Sequence, residues 1–556
     1  MEPVLILGAG INGAAIAREL LLSGLSVVLV DRADIASGAT AYSSRLIHGG
    51  LRYLEYGEFA LVRESLAERG RLLRLAPQFV HRVELFVPVE NRFGGLLSSV
   101  GRFFGWRWWP GGKQTGQGRG LWLIGAGLRL YDAYAHDRTL PRHRVGRVPD
   151  PDGIPVDPQQ FHWLASYYDA QVTYPERFVI ALLEDARQIA AQRGLWFEVL
   201  TRHRANLDGA TATVAPLAAG DGQTISFTPA AIINATGAWV DDTLAQLHVP
   251  AQRLMGGTKG SHVFTFHPGL AGALAGRGLY AEASDGRPIF ILPLAGCTMI
   301  GTTDEPFEGD PAAAVASGPE IDYLLQSANA ILPQVGLVRG DVAFHYSGVR
   351  PLPYDHSNST AAVTRRHWLA PHPGTAVPTY SVIGGKLTTC RSLAQATAAQ
   401  VLARMNLPQN ENSRERPLPG AKDFPRSAAD VSTKKQQLAA RFNLPLASIA
   451  AVWDLVGTRT ESLLAADSGN PELLSDTVLP VAAVRHCIRH EWARTLDDLV
   501  ERRLMLLYHQ PLTRRCLHKL CELLCEVGLL APAEIDSAIA ATVERLDRHF
   551  GKQVTA

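Results

Sequence analysis

Gly8, Gly10 and Gly13 follow the apolar run 4–7 with two-fold and three-fold spacing, and Asp31 closes the next apolar run, 26–30. Those residue types in that order suit the holding of a dinucleotide pyrophosphate. Gly8 permits a tight turn, Gly10 lets backbone approach the phosphates, and Gly13 lets a helix pack closely on its strand. Ile11 and Asn12 lie in the same turn, at the start of a helix whose free N–H groups and dipole attract anions. Asp31 is placed to accept bonds from the adenosine ribose hydroxyls.

These residues need a scaffold, and the hydrophobic pattern supplies one. Residues 4–7 read as a buried strand, 14–23 as a helix stopped near Gly24, and 26–30 as a second strand, which is a βαβ unit opening a parallel sheet. A further apolar strand, 230–233, runs into Asn234-Ala235-Thr236-Gly237, and a strand–turn–helix over 379–404 turns at Gly384-Gly385-Lys386. The stretches 261–266, 288–294 and 298–302 suit a second, mostly antiparallel sheet. Residues 405–426, rich in Asn, Pro, Arg and Glu, read as a linker. Beyond them the spacing is helical, with 481–507 and 513–528 read as amphipathic helices.

The motifs as a set resemble one family. Asn234-Ala235-Thr236-Gly237 is similar to the second dinucleotide-contact loop of FAD-dependent oxidoreductases. The run from Ser43-Ser44-Arg45 through His48-Gly49-Gly50 to Arg52-Tyr53-Leu54-Glu55 resembles the flavin-flanking segment of the FAD-dependent glycerol-3-phosphate dehydrogenases. So do Lys259-Gly260-Ser261-His262, Gly301-Thr302-Thr303-Asp304, the segment from Tyr346 to Leu352, and Gly384-Gly385-Lys386-Leu387-Thr388-Thr389. In the helical tail, Gly457-Thr458-Arg459 and the run from Val484 to Arg503 match too, so the resemblance spans nearly the whole chain in order.

The resemblance implies an α/β fold: an FAD-binding Rossmann-like parallel sheet interleaved with an antiparallel-sheet substrate domain, then a C-terminal all-α domain. The expected division is an oxidoreductase region over 1–404, the linker, and helices over 427–556. Within the first, 1–80, 150–250 and 345–404 are expected to bind FAD, and 81–149 and 251–344 to form the substrate domain. The implied reaction is oxidation of sn-glycerol 3-phosphate to dihydroxyacetone phosphate, with electrons passed to a quinone. An oxygen-using oxidase, an oxidase of a small hydroxy or amino acid, and a non-catalytic flavin-binding subunit are the alternatives.

Flavin-dependent alcohol oxidation needs a hydride path, a base for the hydroxyl proton and stabilisation of the reduced ring. FAD contacts are expected from Gly8, Gly10, Ile11, Asn12, Gly13, Asp31, Arg32, Ser43, Ser44, Arg45, His48, Gly49, Ala235, Thr236, Gly237, Gly385, Lys386, Leu387 and Thr388. A phosphate dianion needs cations, best as the planar fork of arginine. Arg52, Arg350, Arg365 and Lys386, with Tyr53, fill that role by resemblance. His262 is preferred as the base and His48 as a flavin-side group, since histidine titrates in the useful range.

Two segments depart from the family pattern. Thr173-Tyr174-Pro175 stand where an acidic pair is expected, although Asp169 still matches, and the change is expected to reshape one wall of the substrate pocket. The stretch 91–131 mixes arginines with Trp106, Trp108, Trp109 and Trp122 and contains no acid before Asp132, a composition suited to a membrane interface. Packing on the protein or on a second subunit of a homodimer is the competing reading. The formal net charge of +1 argues against a nucleic-acid partner. Cys516, Cys521 and Cys525, near His518, read as core thiols of a helix, so no metal site is expected. The start carries no secretory pattern and no apolar run nears the roughly 18 residues of a spanning helix, which suggests a cytoplasmic protein, peripheral on the membrane at most.

Overall fold

The computed structural model describes residues 2–50, 58–91, 121–135, 140–218, 222–354, 366–467 and 471–556. Arg52, Tyr53, Arg365 and most of the aromatic and basic stretch lie outside them.

The strands Val4–Leu7, Val27–Asp31, Phe197–Thr201, Ala231–Asn234 and Thr379–Ile383 form a parallel sheet, and Trp368–His372 adds an antiparallel edge. Val4–Leu7 lies in the middle, between Ala231–Asn234 and Val27–Asp31, and is buried throughout. A parallel strand covered on both faces must be apolar along its whole length, which is why these runs do not alternate. Helices Ile11–Leu22, Pro175–Arg193 and Cys390–Arg404 pack together on one face. The other face meets an antiparallel meander, His203–Asp208, Thr211–Pro216 and Ile225–Phe227, which the hydrophobic pattern does not announce.

The second sheet is larger and mostly antiparallel. Its order runs from Glu305–Pro306 through Met255–Thr265, Cys297–Gly301, Pro288–Leu294, Gly278–Glu282, Val80–Val89 and Trp163–Val172 to Leu46–Ile47. Phe344–Pro353 pairs along ten positions of Met255–Thr265. The expected division therefore needs correction. Trp163–Val172 and Phe344–Pro353, expected with the FAD-binding parts, pair in this second sheet.

Two further expectations are corrected by packing. Residues 405–426 are not a loose tether. Leu418 is buried, the Ser413 amide donates to Glu19, and Arg416 pairs with Asp185 on Pro175–Arg193. The stretch 481–507, expected to be helical, is interrupted: Val481–His490 stops, Trp492 takes φ +57°, and the chain resumes as a π-helical turn, Asp498–Arg503, before Met505 at φ +55°. Burying Asp498, Glu501, Arg502 and Arg503 requires them to meet opposite charges, and a continuous amphipathic helix could not aim all four inward. Cys516 and Cys521 are buried on the helix Arg514–Glu526, with Cys525 half-buried, in the apolar core. Among the described residues no helix is long and apolar enough to cross a membrane.

Candidate functional site

A cavity of about 1240 Å³ runs from the C-terminal ends of the parallel strands to the large sheet. At its first end stands the glycine turn. Gly8 has φ +102°, and a Cβ there would lie 2.6 Å from the Ala235 carbonyl oxygen. A Cβ at Gly13 would lie 1.8 Å from the Gly8 oxygen, so Gly13 serves helix–strand packing and is not itself in the cavity wall. The helix Ile11–Leu22 has Gly10 as its N-cap, with no side chain to cap the first turn. Thr40 Oγ1 accepts from the Ile11 amide.

Asp31 ends its strand beside this turn. Its carboxylate accepts from the Ala9 amide at 2.7 Å and the Ala33 amide at 2.8 Å. Burial raises its pKa, against the pull of those two amides. Arg32 lies over the Trp239 ring, 4.9 Å from its centroid, and both residues line the cavity with Ala235, Thr236 and Gly237.

Deeper in, Gly385 has φ +106° and approaches so closely that a Cβ would lie 2.5 Å from Asn12 Nδ2. Asn12 Oδ1 is buried with no hydrogen-bond partner among the described residues. A buried polar atom without a partner points to a missing donor. An elongated cavity with glycines at its close approaches, an uncapped helix start, Asp31 and this waiting acceptor fit FAD. Gly8, Gly10, Ile11, Asn12, Asp31, Arg32, Ala235, Thr236, Gly237, Gly385, Lys386, Leu387 and Thr388 all line the cavity and would hold it.

The segment 43–50 forms the next wall. Ser43 and Ser44 line the cavity, and Ser44 Oγ lies 2.9 Å from His262 Nε2. Arg45 also borders the cavity, but its guanidinium is committed elsewhere: it pairs with Glu176 at 2.6 Å and donates to the Thr173 and Ala41 carbonyls. Its guanidinium serves as a buried post, while the residue itself stays at the cavity edge where a cofactor contact is expected. Gly49 also supports the wall rather than lining it. Its amide donates to Tyr131 Oη at 2.9 Å, and Tyr131 donates to Asp169. Thr388 Oγ1 accepts from the His48 amide at 3.1 Å, which ties this segment to the Gly384–Thr388 turn. His48 lines the cavity with its pKa lowered to about 3 by burial, then by Lys386 and Arg69.

The far end carries His262 and Arg350 on neighbouring antiparallel strands. Thr258 stands opposite Arg350, Gly260 opposite Gly348 and His262 opposite Tyr346. The alternation of side chains therefore puts His262 and Arg350 on one face of the sheet. Arg350 donates to Asp304 at 2.8 Å, to Thr302 Oγ1 at 2.7 Å and to the Thr303 carbonyl at 3.0 Å. His262 is 2% exposed, with its pKa lowered to about 3 by burial first, then by Arg350 and Arg45. Its Nδ1 is buried without a partner among the described residues, which leaves Nε2, at Ser44, as the nitrogen in contact with a cavity-lining hydroxyl. Lys386 lines the same cavity.

Thr173, Tyr174 and Pro175 do not line the cavity. Tyr174 is buried against Tyr508, 5.8 Å between ring centroids, so the departure from the family pattern falls on domain packing and not on the described pocket wall. Several cavity residues were not foreseen. Trp239, His203 and Arg204 line the nucleotide end, and Arg545, His549 and Phe550 come from the last helix, Ile535–Phe550, of the C-terminal helical domain. Only contact across domains could have revealed them. Behind Arg350, Glu320 is a buried acceptor for Ser261 Oγ and Thr303 Oγ1 and pairs with Lys259, which keeps its pKa near 2 against burial.

Comparison with known proteins agrees with this architecture. A family described as FAD dependent oxidoreductase matches residues 3–391, and the C-terminal domain of alpha-glycerophosphate oxidase matches 412–528. A glycerol-3-phosphate dehydrogenase of Synechocystis sp. is 36% identical over 529 residues, covering 90% of this chain and 88% of that protein. The chain belongs to the FAD-dependent glycerol-3-phosphate dehydrogenase family. Another relative is the D-erythritol 1-phosphate dehydrogenase of Brucella abortus, 31% identical, covering 90% of this chain and 93% of that protein. The fold is shared with the glycerol-3-phosphate dehydrogenase from Bacillus halodurans solved with FAD, at a TM-score of 0.72 and 19% identity, over 99% of this chain and 95% of that one. As a member of this family the chain is an FAD-dependent oxidoreductase, and the helical domain at its end is part of the family's architecture.

Proposed function

We propose that this chain oxidises sn-glycerol 3-phosphate at C2 to dihydroxyacetone phosphate. The observation that carries the reading is the convergence of the Arg350 guanidinium, Lys386 and the His262 imidazole on one cavity that also holds the glycine turn and Asp31. FAD, held by the glycine turn, Asp31 and the Gly385–Thr388 turn, would supply the hydride-accepting chemistry, with a quinone as the proposed final acceptor.

The chain's own residues bind the ester and take its proton. Arg350 borders the cavity with its Nη atoms held on Asp304, Thr302 and the Thr303 carbonyl, and a phosphate would bind its planar fork by taking over some of these bonds. Lys386 adds a second cation, and Arg52, Tyr53 and Arg365 complete the set by family resemblance. His262 Nε2 receives the hydroxyl proton by way of Ser44 or directly. A base whose pKa sits near 3 is weak, but one cause of that shift is the neighbouring Arg350 charge. A phosphate dianion on Arg350 cancels that field, so substrate binding itself raises the basicity of His262. His48 stays neutral beside the Gly384–Thr388 turn.

A second phosphorylated polyol is a competing substrate, because a D-erythritol 1-phosphate dehydrogenase aligns with nine-tenths of this chain at 31% identity. The quinone acceptor, attachment to the cytoplasmic face of a membrane and a homodimer rest on family resemblance and on the composition of 91–131. The test is anaerobic addition of glycerol 3-phosphate to the purified protein. Bleaching of the flavin absorbance supports the reading, and an unchanged spectrum refutes it. Rates with a quinone, a dye and oxygen then separate dehydrogenase from oxidase. Vesicle binding that survives deletion of residues 95–117 would refute the membrane reading.

A further inference from the structure

The loop that carries Asp31 is held from outside its own domain. Asp34, three residues on, is 2% exposed. Its carboxylate accepts from Arg502 Nε at 2.7 Å and from the two Nη atoms of Arg503 at 2.9 and 2.8 Å. Both arginines lie in the π-helical turn Asp498–Arg503 of the C-terminal domain. On the loop's other flank the Arg202 amide donates to the Ala33 carbonyl at 3.1 Å, while its guanidinium donates to Asp498 at 2.8 Å. Asp498 is fully buried and also accepts from Arg502 and from the Arg494 and Thr495 amides. The π-helical turn therefore grips both sides of residues 31–34.

Within the loop, Ala33 donates to Asp31 and the Ala36 amide donates to the Ala9 carbonyl, so the position of the loop sets that of both Asp31 and the glycine turn. The same turn extends the other way: Glu501 pairs with Arg545 on Ile535–Phe550, whose last residues line the cavity.

We infer that the C-terminal helical domain is the clamp that retains FAD, by fixing Asp34 and through it the loop that presents Asp31. A loop of this kind is irregular and must be ordered before it can bind the ribose. Ordering it through charge-assisted bonds from a second domain removes that entropy from the binding step. Asp34, Arg502 and Arg503 are positioning residues, since the structure places them behind the nucleotide contacts and not among them. The inference rests on FAD occupying the cavity, and its test separates the two.

The holoenzyme is diluted and FAD release is followed by the rise of free-FAD fluorescence, for the wild type and for Asp34→Asn, Arg202→Gln and Arg187→Gln. Arg187 donates to the His490 carbonyl across the same domain boundary and does not touch the loop. We expect roughly tenfold faster release from Asp34→Asn, a smaller rise from Arg202→Gln and wild-type release from Arg187→Gln. Wild-type release from a folded Asp34→Asn overturns the inference. So does equal acceleration by Arg187→Gln, which would signal general loosening between domains. If Asp34→Asn does not fold, Arg202→Gln decides: faster release supports the clamp and wild-type release overturns it. A purified wild type lacking flavin absorbance refutes the cofactor assignment instead.

Discussion

Gly260 tests the substrate fork without touching a charged residue. The Arg350 side chain lies across this glycine, and a Cβ there would stand 2.1 Å from Arg350 Nη2 and 2.5 Å from its Cζ. The obstacle is the end of a flexible side chain, so Gly260→Ala leaves the strand pairing of Met255–Thr265 intact and pushes the guanidinium off Thr302 and Thr303. What is lost is the aimed fork. A hydrogen bond to a charged group contributes about 1.5–3 kcal/mol, which corresponds to roughly a 10- to 150-fold fall in kcat/KM. Steady-state assays with glycerol 3-phosphate and a dye acceptor measure that fall, while the visible FAD spectrum and the unfolding midpoint report cofactor and fold. Unchanged kcat/KM in a folded, flavin-loaded variant would refute the placement of Arg350 at the substrate.

Three other perturbations follow from the same geometry. His262 has a pKa near 3 when folded and an ordinary value when unfolded, so only the unfolded chain gains its proton as pH falls below about 6.5; stability present above that pH is lost towards pH 3, amounting to about 2 kcal/mol by pH 5. Denaturant unfolding of cofactor-free wild type and His262→Gln at pH 7.5 and 5 should show the wild type losing that much more, and equal losses would contradict the burial argument. Gly385→Ala places a methyl against Asn12 at a φ of +106°, so FAD should bind at least roughly tenfold more weakly by fluorescence titration; native affinity would show that this approach is not needed. Asp169→Ala removes the carboxylate facing Arg69 and Tyr131 and should cost about 3–5 kcal/mol in denaturant unfolding, with a loss under about 1 kcal/mol counting against a buried ion pair.

The nucleotide end was legible in the sequence because its demands are local. Gly13 answers a steric conflict with Gly8 inside one strand–turn–helix, Gly8 takes the φ of +102° that this turn needs, and Asp31 ends the neighbouring strand. The substrate end was not local. His262 and Arg350 meet only through the register of Met255–Thr265 on Phe344–Pro353, which family resemblance implied and periodicity could not. The apolar rhythm of 481–507 misled because Leu499, Val500, Leu504, Leu506 and Leu507 are all buried, as in a helix. The correcting signal was the charge interleaved with them, Asp498 and Glu501 to Arg503, which is too much to bury on one helical stripe. Spacing alone leaves Arg502 and Arg503 open to pairing across helices or to docking against the flavin domain, and both are buried on Asp34 of that domain. Exposure is a property of the assembled domains, and a side chain's partner across a domain boundary leaves no trace in local spacing.

The first turn of Pro175–Arg193 joins the cavity wall to the helical domain through two consecutive residues. Glu176 pairs with Arg45 and so steadies the Ser43–Ser44 wall, while Arg177 pairs with Glu491 and donates to the Leu455 carbonyl in the C-terminal domain. About two turns later Glu184 pairs with Arg459 of that same domain. Buried ion pairs add little stability over apolar packing, but breaking one leaves a charge without compensation, so they penalise every docking arrangement except one. That makes this helix start a fulcrum: a shift of the helical domain would pull Arg177, and Glu176 beside it would carry the shift to Arg45. Pro175 sets the backbone at this point and Tyr174 packs on Tyr508, so the residues found where an acidic pair is expected stand at the pivot of that lever. Their effect on chemistry, where there is one, passes through Arg45 and the serines next to it.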